Sequence, residues 1–243
     1  MGNRRYGLKE VANVTFFDVR TGEPKLFFDT LKVSTIENES ESAEARGGQG
    51  NSKLMSWDYG RTATLTMQDA LLSDISLAML AGTEVQNENV TVSAREAITV
   101  GADGAIELEN TPSGNVIAYS YKDGLLSEKL TVEGGDTVTG AVEGDKIMVF
   151  YNYVIADGAT KVTFSGDKFP ETYRVVGDTV GRGEDGLDRV MQFVIPKAKL
   201  QSSFSLTMDV ENVSVFDFNL EVLTDGADKN LYDIIHLPHE TDL

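Results

Sequence analysis

The side chains that most often carry catalysis or bind metals are scarce in this sequence. It has no cysteine, which excludes a disulfide framework, a thiolate metal site and a cysteine nucleophile. The two histidines are His236 and His239, and Pro238 between them disfavours a shared helical face. We therefore expect both histidines to lie in a solvated tail, where they form neither a metal site nor part of a Ser-His-Asp arrangement.

Three short segments match ligand-binding motifs only in part. Residues 181–186 spell G-x-G-x-x-G, but a dinucleotide site needs a helix after the third glycine, and residues 187–195 have a strand pattern. We therefore expect these glycines to mark a β-turn. Residues 47–53 lack the G-K-[ST] ending of a phosphate loop, and residues 225–230 lack the distal Glu of a calcium loop. We expect no catalytic residue, no cofactor and no metal, and hence that the protein is not an enzyme.

The charge and composition of the chain limit the classes of partner that it can bind. With 21 Lys and Arg against 39 Asp and Glu, the net charge is −18. Nucleic-acid binding needs clustered cations, so we expect DNA to pass this protein without specific binding. No apolar run is long enough to cross a membrane, and the N-terminal residues lack an apolar signal stretch, so we expect no membrane partner.

Strand patterns separated by turn signals run through most of the chain. Residues 14–19 and 25–36 flank a turn that contains Gly and Pro, which indicates a hairpin. Leu65 and Met67 alternate with threonines, as in a half-buried strand. Further strands are predicted at residues 116–121, 146–155, 160–165, 171–176, 189–195, 203–210 and 215–223, with a loop at 196–199.

One helix is predicted, over residues 73–81. Ser73 is a good N-cap and Gly82 a good C-terminal stop. The stripe that we expect to pack against a sheet consists of Leu71, Ile75, Ala78 and Met79.

A long polar segment separates two of the predicted strands. Residues 37–44 are acidic and rich in serine, a glycine cluster follows, and Trp57 is the only tryptophan of the chain. Long polar loops within compact domains are usually functional or disordered. We therefore predict that residues 37–60 form a surface loop through which the protein acts. Residues 98–155, with short strands and frequent turns, are predicted to be an inserted β subdomain or extended hairpins.

Residues 45–61 and 64–73 resemble phage tail tube (major tail) proteins, and residues 175–179 and 191–200 have the same character. The resemblance implies a mainly β fold, with a β-sandwich or barrel core at 1–97 and 156–243, one flanking short α-helix and a long inter-strand loop that packs against neighbouring subunits. The implied interface residues are the charged, glycine and aromatic positions of that loop: Glu37, Glu39, Glu41, Glu44, Arg46, Gly47, Gly48, Gly50, Asn51, Lys53, Trp57, Tyr59 and Arg61.

The resemblance also implies an assembly and its partners. Copies of the chain would form hexameric rings that stack into a hollow tube for delivery of genomic DNA. Other partners would be tail proteins such as the sheath, tape measure, terminator or baseplate. The protein would belong to the virion tail and assemble in the host cytoplasm.

Two other classes of function stay open at this point. The first is another virion β-domain, such as a capsid decoration protein or a carbohydrate-binding tail module, with Trp57, Tyr59, Tyr119 and Tyr121 as an aromatic platform. The second is an enzyme with dispersed carboxylates, for instance a glycoside hydrolase, which needs two carboxyl groups at a set separation.

Overall fold

The structure is a computed structural model that describes residues 5–208, 210, 215–224, 226 and 229–238. It is mainly antiparallel β-sheet with a single α-helix in the described part, so the predicted fold class is confirmed. The elements in chain order are β1 (Tyr6–Leu8), β2 (Asn13–Asp18), β3 (Pro24–Phe28), β4 (Leu31–Gly47), β5 (Ser52–Asp69), α1 (Asp74–Ala81), β6 (Gln86–Thr99), β7 (Ile117–Lys122), β8 (Leu125–Glu133), β9 (Thr137–Thr139), β10 (Lys146–Lys161), β11 (Thr172–Gly183), β12 (Asp188–Leu200), β13 (Phe216–Val222) and β14 (Asp233–His236).

The chain divides into two compact units. The first consists of Met1–Glu84 and Val162–Leu243, and the second of Val85–Lys161. The sequence places the insertion at residues 98–155, and the second unit is wider than that. The reason is that β6 pairs with β10 along nearly its whole length, from Thr99 opposite Lys146 to Gln86 opposite Lys161.

The first unit contains a nine-stranded sheet with the strand order β3-β2-β11-β12-β13-β5-β4; in addition, β1 pairs with β11 and β14 with β12. Its edge strands β3 and β4 are joined by only two residues, Asp29 and Thr30, so the sheet must curl back on itself. Phe28 of β3 accordingly packs against Phe218 of β13 with ring centroids 4.9 Å apart, although three strands separate them in the sheet. The curled sheet thereby encloses its own core.

The inner face of this sheet is apolar because alternate residues of each strand point into the core. Leu65 and Met67 are fully buried, as the alternation with threonine predicts. The largest other fully buried side chains of this core are Val14, Phe16, Val175, Ile195, Leu200, Phe218 and Leu220. Burial of these side chains is what fixes the register of the strands, since a slip by one residue would expose all of them.

Helix α1 has the predicted ends, and two of the four residues of the predicted stripe, Ala78 and Met79, are buried. Ser73 accepts a hydrogen bond from the Ser76 amide at 3.1 Å, and Gly82 has the left-handed φ of +64°. Met79 is buried as expected, but Ile75 is 53% exposed. The predicted stripe was wrong for Leu71 and Ile75, because the helix buries residues 76 and 78–81 instead.

Several predicted strand bounds need correction. The hairpin of β2 and β3 is confirmed, but residues 25–36 are interrupted at Asp29 and Thr30, where the chain leaves one sheet edge for the other. Residues 162–165 lie outside any strand. Strand β12 continues through residues 196–199, where we predicted a loop, because a register shift there accommodates Pro196.

The strand predicted at residues 203–210 is not found among the described residues of that range. Residues 203–208 have no regular structure, and residue 209 lies outside the described residues. Phe204 contacts Phe164 with ring centroids 5.3 Å apart, whereas Met208 is 87% exposed. Phe204 thus packs against the edge of the core of the first unit, but the apolar alternation does not continue to Met208.

The predicted loop at residues 37–60 is instead a β-hairpin. Strands β4 and β5 pair from Leu31 opposite Asp69 to Gly47 opposite Ser52, with a turn at residues 48–51. Gly48 and Gly50 have φ values of +81° and +84°, which glycine adopts readily. Within residues 37–60 neither face of these two strands enters the core, and residues 37–44 lack the alternating apolar residues by which a strand is predicted.

The second unit contains a five-stranded sheet with the order β6-β10-β7-β8-β9. It has its own core, formed mainly by one face of the sheet: Val100, Ile106, Ala118, Leu130, Val138, Ile147, Val149 and Tyr151. The Tyr151 hydroxyl donates a hydrogen bond to Glu96, and the Asn110 amide donates one to Tyr151 at 3.1 Å. These bonds join the segment around residue 110 to β6 and β10.

Candidate assembly surface

The distal part of the β4–β5 hairpin extends beyond the sheet that carries it. Strand β5 pairs with β13 only from Ala63 to Asp69. Residues 39–62, which we call the arm, therefore have no third strand beside them among the described residues. Every arm residue is exposed or half-exposed. A two-stranded ribbon of this kind is marginally stable alone, so it is suited to pack against another surface.

One face of the arm is apolar. Met55, Trp57 and Tyr59 alternate along β5 and lie opposite Ala45, Ala43 and Glu41 of β4, respectively. Because side chains two residues apart share a face, the three large side chains form one stripe. They are 58%, 54% and 54% exposed. Exposed apolar patches on soluble proteins commonly mark interaction sites.

The opposite face of the arm is polar and internally paired. Glu44 accepts hydrogen bonds from the Lys53 ammonium at 2.6 Å and from Arg46 Nε at 2.8 Å. The bond from Lys53, followed by that from Arg46, lowers the pKa of the Glu44 carboxyl group from its usual value. This cluster lies near the turn and keeps the two strands paired at the tip of the arm.

Two irregularities change the course of the arm relative to its base. The pairing shifts register between Glu39 and Glu41 and again between Ala45 and Arg46. At the first shift Gly60 has a φ of +62° and open space around the position of a Cβ. Bulges of this kind bend the ribbon and increase its twist. Because of these two register shifts, the apolar stripe does not follow the surface of the sheet at the base of the arm.

The structure brings the predicted interface residues onto one hairpin but divides them between its parts. Trp57 and Tyr59 lie on the apolar face, and Glu44, Arg46 and Lys53 form the polar cluster. Glu37 lies at the base of the arm, opposite Thr64. The remaining predicted positions lie along the arm and its turn: Glu39, Glu41, Gly47, Gly48, Gly50, Asn51 and Arg61.

Sequence reasoning missed Met55 and the small residues Ala43 and Ala45 that complete the apolar face. The signal was present in the alternation of Met55, Trp57 and Tyr59. Residues 37–44 before it show no alternation of apolar and polar residues, so the sequence does not indicate that this strand pairs with them. The aromatic platform considered above does not form one surface within either unit, since Trp57 and Tyr59 belong to the first unit and Tyr119 and Tyr121 to the second.

The chemistry-bearing residues form no site in the described part of the chain. No group of three or more His, Cys, Asp or Glu residues there is arranged to hold a metal ion. His236 lies on β14 rather than in a tail, and its ring centroid lies 4.6 Å from that of Tyr6. His239 and residues 225, 227 and 228 lie outside the described residues. Residues 181–183 end β11 and residues 184–186 lie in the turn to β12, so a strand follows this segment as expected. Among the described residues, no helix is both long and apolar enough to cross a lipid bilayer.

Comparison with known proteins agrees with the fold and with the sequence resemblance. A search of curated proteins found no match. The model of the YomU/Tube protein family matches residues 6–236, which is nearly the whole chain and includes the arm and both units. The chain therefore belongs to the YomU/Tube protein family and is a phage tube-like structural protein, a component of the virion tail.

Proposed function

We propose that this protein polymerises as hexameric rings that stack into the tail tube, the conduit for genome delivery, and that it has no catalytic activity. The observation that carries the proposal is the apolar face of the arm. Met55, Trp57 and Tyr59 are more than half exposed on a ribbon that has no further strand beside it among the described residues. A second copy of the chain would remove this face from water.

Burial of that face contributes to the free energy of assembly. Fully burying an apolar side chain of the size of Met or Phe is worth about 1.5–3 kcal/mol, and the three side chains of the stripe, already partly covered within the chain, gain part of that value. The gain is repeated at each contact around a ring and along a tube, where it offsets part of the cost of ordering the partners. Contacts between different surfaces of identical subunits close into rings or continue as tubes, as this function requires.

The charge of the chain supports a conduit for DNA. A net charge of −18 distributed over the rings would repel phosphate groups, so DNA would move past them without adhering. In this proposal the tube assembles in the host cytoplasm. It joins other tail proteins of the kinds named above, such as the tape measure, terminator, baseplate or sheath.

Shortening the arm tests this function. Residues 40–61 are replaced by Asn-Gly, so that Glu39 and Thr62, which are paired in the structure, flank a two-residue hairpin turn. We expect a folded protein that remains monomeric, because the core strands below Thr62 are unchanged. Negative-stain electron microscopy and sedimentation velocity over a range of concentrations measure the assembly.

A pair of matched double variants separates the apolar face from the arm as a whole. Trp57→Ala with Tyr59→Ala removes the stripe, while Ser56→Ala with Asp58→Ala alters the polar face of the same strand. We expect rods or rings to be lost in the first variant and retained in the second. Equal assembly of the two variants would show that the apolar face is not the contact.

A further inference from the structure

The outer surface of β2, β3 and β11 carries a second exposed apolar patch in the first unit. Phe27 of β3 is 56% exposed. Phe17 of β2 points to the side opposite its fully buried neighbour Phe16 and is half-buried. Val19 follows β2 and is also half exposed. Strand β3 is an edge of the nine-stranded sheet, so this patch lies where another subunit could approach.

Cations border this patch, in contrast to the acidic surface of the chain. The Arg174 guanidinium lies over the Phe17 ring, with its Cζ atom 5.2 Å from the ring centroid. Arg174 has no acidic partner among the described residues, and Lys25 lies 3.9 Å from the nearer carboxylate oxygen of Asp18. We call Phe17, Val19, Lys25, Phe27 and Arg174 the cationic strip.

The arm has the opposite charge along the strand that borders its apolar face. Glu39 and Glu41 of β4 form no ion pair with the described residues, and Glu41 lies directly opposite Tyr59. Glu37, at the base, continues the acidic row. The arm thus presents an aromatic stripe with carboxylates beside it, and the cationic strip presents aromatic rings with cations beside them.

We propose that the arm of one copy docks on the cationic strip of a neighbouring copy. This inference rests on the proposed function and names the surface that receives the arm. Met55, Trp57 and Tyr59 cover the exposed Phe27 ring of the strip. Glu39 and Glu41 approach its two cations. Within one chain both surfaces remain exposed, so neither covers the other. Because the two surfaces differ, the contact is head-to-tail and can repeat around a ring.

Charge reversal on each surface provides a decisive test. One variant carries Glu39→Lys and Glu41→Lys, and the other carries Lys25→Glu and Arg174→Glu. Each variant alone places like charges across the contact, which opposes association strongly. We expect each to need at least about tenfold more protein than the wild type before it assembles, equivalent to about 1.4 kcal/mol per contact.

Mixing the two variants in equal amounts should restore assembly. In an alternating ring, each reversed arm meets a reversed strip and each native arm meets a native strip, and six subunits permit this alternation. The control variant, Lys122→Glu with Lys129→Glu in the second unit, makes the same charge change as the variant of Lys25 and Arg174, but outside both surfaces. Thermal unfolding of each monomer checks that the fold is retained.

The absence of cysteine permits a second measurement on the same contact. A Phe27→Cys, Tyr59→Cys double variant treated with a short bismaleimide cross-linker should give a ladder of covalent oligomers. A Lys122→Cys, Tyr59→Cys variant should not.

The outcomes separate this inference from the proposed function. Reversed variants that assemble like the wild type, a mixture no better than its components, or a missing ladder would each overturn the docking surface while tube formation stands. A wild-type protein that never self-associates would overturn both.

Discussion

At the residue scale, Asp185 stabilises the turn between β11 and β12. Its carboxylate accepts hydrogen bonds from the two terminal nitrogens of the Arg189 guanidinium at 3.0 and 2.7 Å and from the Leu187 amide at 3.1 Å. The bonds from Arg189, followed by that from Leu187, lower the pKa of Asp185 to about 2. This depressed native pKa means that the stabilisation is complete above about pH 4 and is lost as the pH falls through about 2.

Replacing this carboxylate should remove part of the acid sensitivity of the fold. We expect the free energy of unfolding of Asp185→Asn to fall less steeply than that of the wild type between about pH 4 and pH 2, because Asn does not titrate. Urea titrations at a series of pH values measure this difference. Asp123→Asn, in a turn of the second unit and without an ion pair among the described residues, is the control. Identical acid limbs for Asp185→Asn and wild type would contradict the argument.

The sequence predicts the turn at residues 181–186 but not the contact within it. Glycine spacing signals a turn wherever the backbone needs conformational freedom, so the prediction is local. Asp185 and Arg189 are four residues apart, a spacing usually associated with neighbours on a helix. Here they meet because the chain reverses direction in a hairpin, which only the pairing of β11 with β12 reveals.

At the scale of elements, helix α1 ends where a side chain would not fit. The Gly82 amide donates to the Met79 carbonyl at 3.2 Å, and the Thr83 amide donates to the Ala78 carbonyl at 3.0 Å. Gly82 needs a left-handed φ to close this end. A Cβ atom built on it would lie inside van der Waals contact of the Phe169 carbonyl group.

Gly82→Ala should therefore destabilise the first unit. The left-handed conformation costs a residue with a Cβ atom about 1–2 kcal/mol, and the overlap with Phe169 adds to that cost. Gly22→Ala isolates the conformational cost, since Gly22 has a φ of +75° and nothing within 4 Å of the added Cβ. Urea unfolding should show a larger loss of free energy for Gly82→Ala than for Gly22→Ala. Equal losses would rule out the steric contribution.

Elements with local signals could be predicted, and those that depend on distant pairing could not. The ends of α1 follow from Ser73 and Gly82, which act on their immediate neighbours. The arm was predicted as a loop because Glu and Ser alternate along β4 without an apolar face. Its strands exist because β4 pairs with β5, and the large side chains of its apolar face all come from β5. A polar strand gives no hydrophobic period, so the sequence could locate the arm but not its form.

At the scale of the whole molecule, each unit has a separate hydrophobic core. Leu65 is fully buried in the core of the first unit, and Ile147 is fully buried in that of the second. Chains with more than one such core commonly unfold in more than one transition. The insertion of the second unit between Glu84 and Val162 interrupts the sequence of the first unit without adding a strand to its sheet.

We therefore expect two resolvable transitions in calorimetry of the monomeric arm-shortened protein, each assignable by one substitution. Leu65→Ala and Ile147→Ala each remove a buried aliphatic side chain, which typically costs about 2–5 kcal/mol. Because the two side chains occupy different cores, Leu65→Ala should lower the midpoint of one transition and Ile147→Ala that of the other. Both substitutions lowering a single common transition would mean that the units unfold as one cooperative body. Independent transitions would leave the second unit free to change in sequence while the first retains the arm and the cationic strip for assembly.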